Sequence, residues 1–227
     1  MSPRTDEEPR PRARIRPYEP HAWRVLRTLR LGNPVPPPEA GFSEILGARR
    51  SARRMVRAPL RETGNWLGFV QAIRHTTATE PVLRTRRLSA SAGGLHPIDL
   101  VLATAAGRPR AFRFDPQAGA LQQLAPADEA GLRRELAAAR AICPGADADI
   151  VVLVADAAKT RAAYERSSSL LWRDAGCLLQ TLHLCATAFR LSFCPLGIEG
   201  RALLRSIAGD DPLRPAGVGL IGRPPQL

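Results

Sequence analysis

After residue 41 the spacing of hydrophobic residues predicts a regular series of helices and strands. Helical spacing runs through residues 42–54, 65–75, 128–142 and 170–191. The last of these segments is apolar around most of its circumference, which indicates a buried central helix. Strand patterns occupy residues 97–105, 148–156 and 217–225, and residues 110–125 alternate and turn as a β-hairpin does. This order predicts an α+β fold with one mixed sheet flanked by helices.

In the first of these helical segments the spacing predicts an inner face made of Phe42, Ile45 and Leu46. Residues 1–40 differ, because Pro and Arg dominate them, and we expect a Pro/Arg-rich extension to a domain that spans residues 41–227. Trp23 and Leu26 have helical spacing, which predicts one short amphipathic helix within the extension. We expect the extension to pack on a partner subunit or to fray rather than to carry chemistry.

The composition limits the possible functions. A hydrophobic fraction of 44% is ordinary for a globular chain, and no apolar run approaches the roughly 18 residues of a membrane helix. We therefore expect a soluble, cytoplasmic protein without a membrane partner. The net charge of +12 comes mostly from Arg, but aromatic residues make up only 5%, so an anionic peptide or phosphorylated ligand explains the charge better than nucleic acid does. The four cysteines form no CxxC pair, and neither a metal site nor a disulfide framework is predicted.

Two segments carry the candidate chemistry. RRSARR (49–54) offers Arg49, Arg50 and Arg53 with Ser51, within two turns of one predicted helix, and such groups suit a phosphate. RRLSASAGGLHP (86–97) contains a loop of small residues, and its Ser91, Ala92 and Gly93 allow the backbone to approach a flat ligand closely. Together the two segments point to a planar cofactor that carries a phosphate.

Flavin mononucleotide (FMN) meets both requirements. Reduction places negative charge on one side of the flavin ring, and Arg87 is the candidate cation to stabilise it. A turn containing Leu196 and Gly197 can present a backbone N–H to the N5 atom of the ring. Near the C-terminus, Arg223 is a further candidate for the phosphate site.

Four segments in this order resemble the flavin-dependent nitroreductase superfamily, and more closely its SagB-type branch, which includes azoline dehydrogenases of modified peptides. RRSARR resembles the RRSxR phosphate motif, and RRLSASAGGLHPIDL resembles R-x-x-PSAGALYPLE. FRFDPQAGALQQL (112–124) resembles the hairpin motif, and residues 173–197 resemble the helix and turn that follow it. The resemblance covers about residues 42 to 224.

This resemblance implies a homodimer with interlocked arms, FMN bound at the subunit interface, and ping-pong electron transfer through the flavin N5. It assigns the phosphate and ribityl chain to Arg49, Arg50, Ser51 and Arg53, and the ring to Ser91, Ala92 and Gly93. It also brings the backbone of Leu196 and Gly197 towards N5.

The sequence departs from the azoline dehydrogenases at two places. Their Pro in PSAG is Ala90 here, and their Lys-Tyr pair is Ala163-Tyr164. Tyr164 remains the catalytic acid/base candidate, but the lysine is missing unless Lys159 reaches the site.

We therefore expect an FMN-dependent oxidoreductase that dehydrogenates a peptide-derived or other natural-product substrate, with oxygen reoxidising the flavin. The alternatives are an NAD(P)H-dependent nitro or quinone reductase and a flavin-free interaction subunit of a biosynthetic complex.

Overall fold

The computed structural model describes residues 8–32, 34–104 and 107–225 of the 227-residue chain. The helices are α1 (Phe42–Ala48), α2 (Leu60–Gln71), α3 (Glu129–Ala141), α4 (Ala157–Ala163), α5 (Ser168–Ala188) and α6 (Arg201–Ala208). The strands are β1 (Arg10–Pro11), β2 (Val25–Arg30), β3 (His75–Ala78), β4 (Arg84–Arg86), β5 (Ile98–Thr104), β6 (Arg110–Asp115), β7 (Ala120–Leu124), β8 (Asp149–Ala155), β9 (Tyr164–Glu165), β10 (Ser192–Leu196) and β11 (Arg214–Gly222).

Seven of these strands form the central sheet, in the order β10-β11-β8-β5-β6-β7-β2. Val152 of β8 lies opposite both Val101 of β5 and Val218 of β11, which fixes the register inside the sheet. Two small sheets lie beside it, one made of β3 and β4 and the other of β1 and β9. The second of these attaches the N-terminal arm (residues 8–24) to the strand that contains Tyr164.

Helices cover both faces of the central sheet. Successive side chains of a strand point to opposite faces, so Val152 joins Leu136 of α3 in one buried cluster. Its neighbour Val151 joins Trp66 of α2 and Leu178 of α5 in the other. β8 is therefore buried along its whole length, and all its residues after Asp149 are apolar. Within the described ranges, no helix is both long and apolar enough to cross a membrane.

The structure confirms the α+β class and the helices that flank the sheet, but the prediction of a mixed sheet is wrong in one respect. Every pair of neighbouring strands in the seven-stranded sheet is antiparallel. The unbroken apolar run of β8 suggested parallel neighbours, since parallel sheets are buried on both faces. Here an antiparallel sheet has the same pattern because α2 and α5 cover one face and α3 and α6 the other.

The short helix predicted in the extension is also wrong, because that segment is strand β2. It pairs with β7 at the edge of the central sheet, where Leu29 lies opposite Leu121. Leu29 and Leu31, two residues apart, both pack against the cluster that contains Trp66. Period-two burial and backbone hydrogen bonds to β7 therefore outweigh the helical spacing of Trp23 and Leu26. The extension is thus joined to the domain, because β2 is a strand of its sheet.

The helix predicted over residues 42–54 is present only as α1, which ends at Ala48. Its predicted inner face is not buried within this chain. Phe42 is 68% exposed and Leu46 is 45% exposed, while Ile45 is half-buried. α1 therefore presents apolar side chains outwards. The helix predicted over residues 65–75 begins earlier, as α2, and His75 starts β3 instead.

Candidate functional site

The ring loop (residues 91–94) is attached to the buried face of helix α5 by one carboxylate. The prediction that this helix is buried around most of its circumference is wrong, because its opposite face is exposed, with Trp172 55% exposed. The Ser91 hydroxyl donates to Asp174 Oδ2 at 2.6 Å, and the Ala92 backbone N–H donates to Asp174 Oδ1 at 3.1 Å. Asp174 is buried, with 7% of its surface exposed. Burial raises the pKa of its carboxyl, and the hydrogen bonds from Ser91 and Ala92 oppose that rise. The anchor fixes both the position and the direction of the loop.

Two glycines shape the exposed side of this loop. Gly93 and Gly94 have φ values of 58° and 66°, in the left-handed region that side chains rarely adopt. A Cβ on Gly94 would lie 2.9 Å from the Thr85 carbonyl oxygen, so only glycine fits there. A Cβ on Gly93 would lie 2.8 Å from the hydroxyl oxygen of Tyr164. The predicted acid/base residue and the predicted ring loop are therefore neighbours.

The N-terminal arm holds the strand that carries Tyr164. Pro11 pairs with Tyr164 in the small β1–β9 sheet, and the Arg12 N–H donates to the Ala163 carbonyl at 2.9 Å. The Arg12 side chain also reaches Glu165 Oε1 at 2.8 Å. Tyr164 packs against a small buried cluster that includes Leu95 of the ring-loop segment. Arm, loop and Tyr164 thus form one packed unit.

The predicted phosphate motif lies beside the other half of α5, in an extended segment rather than in a helix. Arg49 already has extended backbone angles, and the Ala52 N–H donates to the Phe193 carbonyl of β10 at 3.1 Å. The Arg50 carbonyl contacts His183 Nε2 of α5 at 3.1 Å. The prediction that the motif lies within two turns of one helix is therefore wrong, because α1 ends at Ala48 and the chain then follows β10.

The guanidiniums of this motif are available to a ligand. Arg49, Arg50 and Arg53 form no side-chain hydrogen bond or ion pair with any residue that the structure describes. Burial lowers the pKa of His183, and Arg49 lowers it further, so the imidazole beside the motif is neutral at neutral pH. Three unpaired cations beside the Ser51 hydroxyl form a site that suits a phosphate.

The remaining predicted residues lie in different surroundings. Leu196 ends β10 and is half-buried, and Gly197 is exposed directly after it. The backbone of Arg223 bonds with Val56, which brings it to the end of the phosphate-motif segment. Its guanidinium, however, is already paired with Glu62, with Nε 2.7 Å from Oε2. A phosphate contact by Arg223 would require that pair to open.

Arg87 points away from the exposed side of the ring loop. Its Nη1 donates to Gln71 Oε1 at 2.6 Å and its Nε donates to Thr85 Oγ1 at 3.2 Å. Burial lowers the pKa of Arg87 to about 10. Beside it, burial and then the charge of Arg87 lower the pKa of His96 to about 4, so this imidazole is neutral at neutral pH.

Sequence reasoning missed the role of Asp174, which makes no predicted contact with a ligand yet fixes the residues that would. The signal was present in the chain. Asp174 is an acid on a helix whose inner positions are otherwise apolar except for His183, and such a group is found buried only with hydrogen-bond donors. The donors themselves, Ser91 and Ala92, lie more than eighty residues away and were not predictable as its partners.

The fold and these contacts define an α+β protein in which the phosphate motif and the ring loop contact opposite halves of helix α5. The model of the nitroreductase family matches residues 46–223, more than half of the chain, so the protein belongs to the nitroreductase family. This is a family of oxidoreductases whose members typically bind FMN, in agreement with the cofactor predicted from the sequence. A search of curated proteins gave no match.

Three solved structures show the same fold. A protein of Ralstonia eutropha assigned as a nitroreductase is 16% identical, with a TM-score of 0.66 over 94% of this chain and 99% of that one. The E. coli microcin synthetase McbBCD complex with truncated pro-MccB17 bound contains a chain that is 17% identical, with a TM-score of 0.56 over 79% of this chain and 68% of that one. A Desulfovibrio desulfuricans protein assigned as a nitroreductase and solved with FMN is 20% identical, with a TM-score of 0.50 over 83% and 88% of the two chains.

Proposed function

We propose that the protein is an FMN-dependent dehydrogenase of a peptide-derived or other natural-product substrate, of the SagB type. The main support for FMN binding comes from the guanidiniums of Arg49, Arg50 and Arg53, which have no counterion among the described residues. Each of these guanidiniums can give a phosphate a charge-assisted hydrogen bond. The sequence resemblance in four motifs supports the substrate class, and the E. coli complex described with truncated pro-MccB17 bound contains a chain of the same fold.

The residues present fit FMN. The arginines with Ser51 would hold the phosphate, and the exposed backbone at Gly93, beside the Tyr164 hydroxyl, would lie against the ring. Leu196 and Gly197 follow the strand to which the phosphate motif is bonded, so their backbone is placed to approach the same ligand. When bound, FMN supplies a two-electron acceptor, and oxygen as the final oxidant leaves hydrogen peroxide.

We propose a homodimer whose two subunits share each FMN. The ring loop is anchored at Asp174 and the phosphate motif at His183, nine residues further along α5. With a rise of about 1.5 Å per residue, these anchors are about 13 Å apart. Phe42 and Leu46 of α1 and Trp172 of α5, which is 55% exposed, offer the apolar surface that a partner subunit would cover. Light scattering of the purified protein would measure the mass.

Tyr164 is the proposed proton-transfer residue. Dehydrogenation removes a hydride and a proton from two neighbouring substrate atoms, and the proton needs an acceptor near the ring. The Tyr164 hydroxyl lies directly beside Gly93, and the arm holds its backbone in place. Its role is therefore to carry a proton to or from the substrate at the phenolic oxygen.

The proposed function is tested first on the cofactor. Purified protein should be yellow, with absorbance near 450 nm, or should take up FMN with that spectrum on titration. Rapid mixing of the loaded protein with NADH or NADPH without oxygen should leave the flavin oxidised, which distinguishes a dehydrogenase from a reductase. Rapid bleaching by a nicotinamide would instead identify a reductase. Absence of FMN uptake would favour an interaction subunit.

Replacing Tyr164 by phenylalanine should slow substrate turnover by about 10²- to 10⁴-fold, because the acid/base hydroxyl is lost while the ring and its packing remain. FMN content should be unchanged, since no cofactor contact is assigned to the hydroxyl. Single-turnover reduction of the flavin by substrate measures the step directly. Full activity in Tyr164→Phe with normal FMN content would remove Tyr164 from the reaction.

A further inference from the structure

A cavity of about 290 Å³ lies between the N-terminal arm, the start of α4 and the segment that leads into the ring loop. We call it the arm cavity. Its polar lining includes Tyr18 of the arm, Arg87 and His96 on either side of the ring loop, Asp99, Arg113, Asp156 and Lys159. Ser91, Ala92, Gly93 and Tyr164 do not line it, nor do the residues of the phosphate motif. It is therefore a different site from the one proposed for FMN.

Three of the four carboxylates that line the arm cavity, Asp99, Asp115 and Asp156, already have partners. Asp99 accepts two hydrogen bonds from Arg113, at 2.9 and 3.1 Å, and a third from the Trp23 indole at 3.0 Å. Asp156 accepts from the Tyr18 hydroxyl at 2.7 Å and caps the start of α4 through the Ala158 N–H. Asp115 accepts from Gln122 Nε2 at 3.0 Å. The fourth carboxylate, Glu80, forms no side-chain hydrogen bond or ion pair with the residues that the structure describes.

Two cations in the same cavity lack such a partner. Lys159 makes no side-chain hydrogen bond or ion pair with any of the described residues, and Arg87 is bonded only to the neutral side chains of Gln71 and Thr85. Burial and then the charge of Arg87 lower the pKa of Lys159 to about 8, while Asp99 and Asp156 oppose this shift. Both groups nevertheless carry a charge at neutral pH, and they repel each other.

Lys159 is also the only lysine of the chain, where every other strong base is arginine. A compact ammonium on a flexible stem is thus placed only in this cavity, where the guanidinium of Arg87 already stands. Four prolines, Pro20, Pro81, Pro97 and Pro116, line part of the wall together with Val82 and Leu83 and give that part apolar character. The cavity thus combines two cations that have no carboxylate partner among the described residues with a partly apolar wall.

We propose that the arm cavity binds a small carboxylate-bearing ligand with an aliphatic body, whose carboxylate lies between Lys159 and Arg87. Each cation gains a charge-assisted hydrogen bond that the protein alone does not supply. The prolines contact the aliphatic part, and the volume of about 290 Å³ limits the ligand to roughly a dozen non-hydrogen atoms, at the small end of ligand pockets. This use of Arg87 differs from the flavin contact predicted for it from the sequence.

The single lysine provides the test. Protein labelled with ¹³C-lysine gives one side-chain Cε signal, from Lys159, in the purified FMN-loaded chain. Titration with sodium butyrate should shift this signal saturably, and bound butyrate should raise the pKa of Lys159 from about 8 because a carboxylate favours the ammonium form. Butyramide, which has the same body and no charge, and sodium chloride at equal ionic strength should not do so.

Two substitutions test whether butyrate binds at Lys159. Lys159→Met should weaken butyrate binding at least tenfold by calorimetry and still fold, since it removes a buried cation that has no partner. Arg161→Met on the exposed side of the same helix removes equal charge and should bind butyrate as the unmodified protein does. An equal response to butyramide or chloride, no saturable response to butyrate, or unchanged binding in folded Lys159→Met would each overturn the proposal.

Discussion

Replacing Asp174 by alanine should release the ring loop from α5 and weaken FMN binding about 100-fold. The carboxylate accepts from the Ser91 hydroxyl at 2.6 Å and from the Ala92 N–H at 3.1 Å, and Asp174 is buried. Hydrogen bonds to a charged group contribute about 1.5–3 kcal/mol each, and the donors that remain would be left without a partner. A loss of about 1.4 kcal/mol of binding free energy weakens affinity tenfold. Displacement of the loop after the loss of both hydrogen bonds is therefore enough to explain a roughly 100-fold weaker affinity for FMN.

The same variant should lower the free energy of unfolding by about 2–4 kcal/mol, because two buried donors lose their acceptor. Urea unfolding measures this change without FMN, and flavin fluorescence measures the affinity. The free energy of unfolding and the FMN affinity of Asp174→Asn should lie between those of the unmodified protein and Asp174→Ala, since the amide oxygen still accepts one hydrogen bond. Asp210→Ala is the matched control, because that carboxylate is 94% exposed and forms only a surface ion pair with Arg205.

The two readouts separate two roles of the anchor. Lower stability with unchanged FMN affinity would mean that Asp174 only supports the fold and that the ring loop does not hold the cofactor. Lower affinity for FMN at a concentration of urea where both proteins remain folded would assign the anchor to the site.

Long elements of the fold were predictable because their own residues determine them. The predicted helices over residues 128–142 and 170–191 correspond to α3 and α5, since each has enough apolar residues at helical spacing to form a buried face. The hairpin of β6 and β7 follows from local alternation and the turn at Asp115. In contrast, β2 gains its hydrogen bonds from β7, about ninety residues away, and a six-residue segment does not show this locally.

The candidate site divides in the same way. The residue types within two short segments of the sequence were enough to identify the phosphate motif and the ring loop. The conformation of each depends on distant contacts, such as the bond from Ala52 to Phe193 and those from the loop to Asp174. Because these partners lie far apart in sequence, the extended form of the phosphate motif and the anchor of the loop required the structure.

Replacing both Arg50 and Arg53 by methionine should produce the largest loss of FMN affinity, about 10²- to 10⁴-fold. Each guanidinium is free of partners in the described part of the chain, so each can give its full charge-assisted hydrogen bond to the phosphate. At about 1.5–3 kcal/mol for each bond, the pair supplies about 3–6 kcal/mol of binding. The free energy of unfolding without FMN should hardly change, since no interaction within the described protein is removed.

Riboflavin, which lacks the phosphate, makes this prediction specific to the motif. The unmodified protein should bind FMN far more tightly than riboflavin, and the double variant should bind the two almost equally, because only the phosphate contact is lost. Asp174→Ala should instead weaken the binding of FMN and of riboflavin by the same factor, since it affects the loop that contacts the flavin ring. Arg30→Met with Arg54→Met removes the same charge from exposed positions outside the proposed contacts and should keep the preference for FMN. If the Arg50 and Arg53 double variant retains that preference, these side chains do not hold the phosphate, and the cation cluster must serve another anion.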